Sequence, residues 1–170
     1  MLRLLSFSLT VPTLMLGLVL SASSAEAATI NLVANLDCAQ ANAGAGTCGA
    51  GGSGTGTATI TFDDVTNLLS WNLSYSGLSA AVTAAHFHGP AAPGVNAGVT
   101  VGIGTANPAV GSATISASQE TDLLAGLWYV NVHSTAFGGG EIRGQVLVPE
   151  PGMLGLVAVG VLALVVRSRR

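Results

Sequence analysis

The chain has 170 residues, of which 49% are hydrophobic and only 8% charged, and it carries a formal net charge of −3 with no lysine. Between residues 28 and 148 six carboxylates (Asp37, Asp63, Asp64, Glu120, Asp122 and Glu141) face one base, Arg143, a net charge of −5. One guanidinium cannot neutralise a phosphate backbone or hold an anionic lipid surface, so nucleic-acid binding and electrostatic membrane docking are excluded for this stretch.

Much of the apolar excess sits at the two ends. Residues 1–27 read as a cleavable export signal: Arg3 precedes an apolar run to about Leu20, and Ala25-Glu26-Ala27 has the small-x-small form that signal peptidase cuts. At the other end Pro149-Glu150-Pro151 precedes an uncharged run over 152–166, followed by Arg167-Ser168-Arg169-Arg170. At about 1.5 Å per residue a helix there covers about 22 Å, short of the ~30 Å hydrocarbon core. It spans only with bilayer thinning or snorkelling arginines, which places the arginines on the cytoplasmic side. A marginal span of this kind suits transient membrane insertion. Residues 28–148 remain as the body.

Cys38 and Cys48 are the only cysteines. In an exported chain they are expected to form a disulfide that pins a glycine-rich loop over 39–56 at its base, a contribution of roughly 2–4 kcal/mol. Within that loop Gly51-Gly52-Ser53-Gly54-Thr55 approaches a nucleophile elbow but ends in threonine, with no strand before it and no helix after it.

Alternating apolar and polar residues predict strands over 29–36, 57–62, 69–75 and 82–88, with shorter ones over 99–103 and 113–117. Asp63-Asp64 and Asn67 make a turn between the second and third, which read as a hairpin carrying Ile60, Phe62, Leu69, Trp71 and Leu73 into the core. Ser118 is the expected N-cap of one short helix over 118–124, ending at Gly126. Residues 127–146 (LWYVNVHSTAFGGGEIRGQV) supply two final strands around a glycine turn. About eight strands without repeated helical crossovers predict an all-β antiparallel sandwich or barrel of Greek-key type.

His86 and His88 flank Phe87, so a strand's two-residue period puts both imidazoles on one face. The same period groups Tyr129, Asn131 and His133. If the two strands are neighbours, the chain's three histidines converge in a set suited to zinc or copper. The alternative is a group of hydrogen-bonded histidines that orient loops at the sheet edge. Glu141 and Arg143 share a face in the last strand and read as a structural ion pair closing the final hairpin.

The tail, Pro149-Glu150-Pro151 with its apolar run and terminal arginines, resembles a PEP-CTERM sorting signal. That resemblance implies recognition and removal by an exosortase, delivery to the cell surface or outside, and a host making exopolysaccharide or matrix, whose components become candidate partners. The body resembles the CHRD (chordin) domain family in Ala85-His86-Phe87-His88-Gly89-Pro90, in residues 125–134 (AGLWYVNVHS) and in residues 140–146 (GEIRGQV). The family pattern usually has a proline near Gly138 and a second glycine after Asn96, where this chain has Gly138 and Ala97. The resemblance implies an extracellular all-β domain without an established catalytic activity.

Two functions are therefore weighed. One is a non-enzymatic surface or matrix protein with a structural or binding role. The other is a zinc or copper protein distantly similar to superoxide dismutase, although three histidines cannot supply that enzyme's two-metal set.

Overall fold

The computed structural model describes residues 28–41 and 54–149. The export signal over 1–27, the Cys48 end of the expected disulfide and the apolar run over 152–166 lie outside the described residues. Among the described residues no free cysteine occurs, and no helix is long and apolar enough to cross a membrane.

Among the described residues eight strands and one helix follow in chain order: β1 (Thr29–Asp37), β2 (Thr55–Asp63), β3 (Leu68–Ser76), β4 (Val82–His88), β5 (Val99–Gly102), β6 (Ala109–Thr114), α1 (Ala117–Leu124), β7 (Tyr129–Ser134) and β8 (Ile142–Gln145). They form one antiparallel sheet in the order β5-β4-β7-β8-β1-β2-β3-β6. Laid flat, eight strands at about 4.8 Å spacing would separate the edge strands by about 34 Å. The link from Gly102 on β5 to Ala109 on β6 reaches at most about 25 Å. The sheet therefore curls into a nearly closed barrel.

Alternation explains the interior. Leu32 and Ala34 of β1, Ala58, Ile60 and Phe62 of β2, and Leu69, Trp71 and Leu73 of β3 are all buried. Leu32 pairs with Ile60 and Ile60 with Trp71, so these side chains form rows across the inner face. Trp71 lies opposite Gly111 of β6, where a Cβ would stand 2.7 Å from the indole ring. Glycine there is what lets the ring lie over the strand. Trp71 meets the edge of Phe87 at 5.4 Å, and Phe87 lies 6.0 Å from Trp128, joining opposite walls through aromatic contacts of a favourable geometry.

Two expected elements shift. The sixth strand is residues 109–114, displaced from the expected 113–117, because its small residues pair along β3 from Leu73 to Leu68. The helix is capped by Ser116 in place of Ser118: the Ser116 hydroxyl accepts from Gln119 N–H while the Gln119 side chain accepts from Ser116 N–H. This reciprocal box satisfies two otherwise orphaned donors, and Ser118 is left to hydrogen-bond the Ser116 hydroxyl. At the β2–β3 turn the Asp63 carboxylate accepts from Val65 and Thr66 N–H, which lowers its pKa, and Asn67 takes a positive φ of 56°.

β7 and β8 are covered on both faces. Val130, Val132 and Ile142 point into the barrel, while Tyr129, Asn131, Arg143 and Gln145 are buried on the outer side. Two segments roof that outer side. The β4–β5 loop bonds Tyr129, Arg143 and Gln145 through Ala97, Asn96 and Ala91, and Gln40 accepts from Gln145 N–H.

Candidate metal centre

The outer face of β4 and β7 carries the polar rows that alternation predicts. His86 pairs with Asn131, His88 with Tyr129, and Ala84 with His133. Adjacent strands thus bring all three histidines together. Their ring centroids stand 5.2 to 5.8 Å apart, and one ligating nitrogen from each lies within 4.8 Å of the others.

Hydrogen bonds orient each ring. His88 Nδ1 donates to the Ala97 carbonyl at 3.0 Å, and His133 Nδ1 donates to the Gly138 carbonyl at 3.0 Å. A carbonyl can only accept, so both rings carry a proton on Nδ1, and in its neutral form each presents its lone pair on Nε2. His86 Nδ1 stands 3.3 Å from His133 Nε2. The edge of a tetrahedral nitrogen set around zinc measures about 3.3 Å when each bond is about 2.0–2.1 Å. His88 is only 7% exposed, and its Nε2 is buried without a hydrogen-bond partner. A buried orphan acceptor of this kind is costly unless something fills its place.

The electrostatics favour the metal-ready form. Burial lowers the His86 pKa and the proximity of His133 lowers it further. Burial likewise depresses His88; the Ala97 carbonyl opposes this, while His133, His86 and Arg143 add to it. Both rings are therefore neutral at neutral pH, as metal ligation requires.

Tyr129 organises the inner side of the cluster. Its ring stacks on His88 with a centroid separation of 4.9 Å and a 6° tilt, and its hydroxyl accepts from Ala97 N–H at 3.0 Å. Sequence alternation placed Tyr129 on this face, but its roles as stacking partner and loop anchor depend on the β4–β5 loop folding back. The ring-orienting carbonyls of Ala97 and Gly138 are backbone groups and leave no trace in residue type.

Glu141 and Arg143 take partners other than each other. Glu141 precedes β8, and its carboxylate accepts from Ser79 N–H and from the Ser79 hydroxyl at 2.8 Å. Burial pushes its pKa upward, but hydrogen bonds from Ser134 and Ser79 outweigh burial and leave it lowered. Arg143, 2% exposed, donates to Asn96 and Gln145 and sets its guanidinium carbon 3.5 Å from the Tyr129 ring centroid. The expected clasp is thus replaced by two anchors, one to the β3–β4 link and one to the β4–β5 loop.

A groove of about 690 Å³ lies over β1, β2, β3 and β6 among Thr59, Thr61, Ser70 and Asn72. It shares no residue with the histidine cluster.

A family model described as the CHRD domain matches residues 32–146, and one described as the PEP-CTERM protein-sorting motif matches residues 147–170. No curated protein and no solved structure matches the chain.

Proposed function

This chain belongs to the CHRD domain family and ends in an exosortase sorting motif, and from that premise we propose that its domain is an exported, surface-delivered binding module that holds one zinc or copper ion. The ligands are His86 Nδ1, His88 Nε2 and His133 Nε2. The ion supplies a Lewis-acidic centre, and the domain acts by binding, without catalysis. Matrix components outside the cell are its natural partners.

The observation that carries this reading is the buried His88 Nε2, which has no partner and belongs to a cluster whose other two members supply nitrogens at metal-ligand spacing. A purely structural histidine group would be expected to satisfy its deepest ring nitrogen internally. The carbonyls behind His88 and His133 also act as the outer-shell acceptors that metal-bound imidazoles ordinarily use.

The test is metal content and affinity of the secreted protein purified without chelator or affinity histidines. One equivalent of zinc or copper is expected, along with a tetrahedral visible spectrum after cobalt loading. His86→Ala and His133→Ala should each weaken binding by more than the roughly 10–100-fold typical of outer-shell changes. Absence of uptake at micromolar metal, or equal uptake by a variant carrying both His86→Ala and His133→Ala, overturns the reading.

A further inference from the structure

The histidine cluster provides three ligands, and the domain's carboxylates are engaged or placed elsewhere. Glu141 is held by Ser79, and Asp37 accepts from Gln40. Asp63 closes its own turn, and Asp64 accepts from Ala28 N–H. Glu120 and Asp122 ride on α1. Among the described residues no acid or thiol joins the three histidines within ligating distance. A zinc-type ion held there lacks one ligand of its usual four.

The vacant position has a direction. His88 is the deep member, whereas His86 and His133 are partly exposed. The fourth position therefore opens on the solvent side of the outer face. Three neutral imidazoles leave the full charge of a divalent ion uncompensated, which favours an anionic oxygen donor. Strand register sets the carboxylates apart from this approach. Asp63 pairs with Thr29 at one end of β1 and β2, next to Asp64. Asp37 shares the cross-strand row Asp37–Arg143–Asn131–His86, but three strand spacings of about 4.8 Å separate it from His86 and its carboxylate is held by Gln40. Leu68, opposite Asp63, pairs with Thr114, so α1 and its two acids also belong to the first end.

We propose that the metal held by His86, His88 and His133 captures an external carboxylate as its fourth ligand, so that the domain docks carboxylate-bearing partners through the ion. The proposal rests on the metal-binding reading above and adds the ligand class. It also explains how a body of net charge −5 could hold an anionic partner: attraction is local, at one coordination site, while the long-range field of the domain is screened within about 8 Å at physiological salt.

The experiment uses the secreted protein as the cell releases it, loaded with cobalt and probed with acetate, polygalacturonate and neutral dextran. Acetate is expected to change the cobalt spectrum saturably. Polygalacturonate should retain the zinc-loaded protein at least tenfold more than the chelator-treated protein, with dextran retaining neither. A response to acetate without retention by the polymer supports small carboxylates as the ligand source. Retention by the polymer that survives chelation overturns the proposal, because the contact is then independent of the ion. One equivalent of metal with no response to either carboxylate overturns this proposal and leaves metal binding standing. Failure to take up metal overturns both.

Discussion

His86 and His133, 47 residues apart in the chain, meet ring to ring, with Nδ1 of the first 3.3 Å from Nε2 of the second. Because the Gly138 carbonyl holds the proton of His133 on Nδ1, the contact is a donation from His86 Nδ1–H to a lone pair. A metal entering between them takes the Nδ1 lone pair, so the single proton of neutral His86 must move to Nε2.

This gives a spectroscopic prediction. Long-range nitrogen–proton NMR of the metal-free protein at pH 7.5 should find His86, His88 and His133 all protonated on Nδ1. Zinc should switch His86 alone to the Nε2–H form. Zinc binding with an unchanged His86 tautomer would show that the donor atoms are assigned wrongly.

Glu141 makes stability depend on acid. Its folded pKa is lowered from 4.5, so its contribution is fully present above that value and is lost as pH falls through the lowered folded one. Glu141→Gln keeps the shape but weakens charge-assisted bonds to Ser79, and should cost about 1.5–3 kcal/mol at pH 7. Urea midpoints for the variant and its parent should converge as pH drops below about 4.5; a constant gap down to pH 3 would contradict this account.

Gly144 and Gly138 should respond oppositely to alanine. At Gly144 a Cβ would stand 2.5 Å from the Asn35 carbonyl oxygen and 2.7 Å from its carbon, atoms of the β1 backbone that cannot rotate away. Gly144→Ala should destabilise by about 1–3 kcal/mol by prising β8 from β1. Gly138 has open space around its would-be Cβ, so Gly138→Ala should be within about 0.5 kcal/mol of neutral and retain metal affinity. Denaturant midpoints for the two variants check both.

Processing should be visible in the intact mass of the secreted protein, which is expected to lack residues 1–27 and 152–170. A full C-terminus on secreted material would count against removal of the tail. The same measurement after reduction should gain about 2 Da if Cys38 and Cys48 are joined, and reduction should cost roughly 2–4 kcal/mol of stability.

The strand map was legible because apolar and polar side chains alternate strictly where one face meets the core. β2 and β3 each extend only slightly past their expected ends, and β4 keeps both. Alternation also grouped Tyr129 with His133 and His86 with His88, and the pairing of β4 with β7 brings the two groups onto one face. It failed at β6, where alanine, glycine and serine give little contrast. It also gave no hint that the outer faces of β7 and β8 are buried, since that depends on loops from elsewhere. Proximity in sequence suggested pairing Glu141 with Arg143, but Ser79 and Tyr129 offered partners that spacing cannot show. The departures from the family pattern at Ala97 and Gly138 fall on residues that contribute carbonyls, which a side-chain change leaves in place.

β8 lies beside β1, with Asp37 opposite Arg143 and Val33 bridged to Leu147. A chain that leaves the cell N-terminus first delivers β1 at the start and its second neighbour at the end. Until β8 clears the translocation channel, one edge of β1 has no ladder to join and is open to pairing with another chain. The sorting match begins at residue 147, directly behind the strand that closes the wall. Severing the chain upstream of that point would release an open sheet, whereas severing it within the tail releases a finished one.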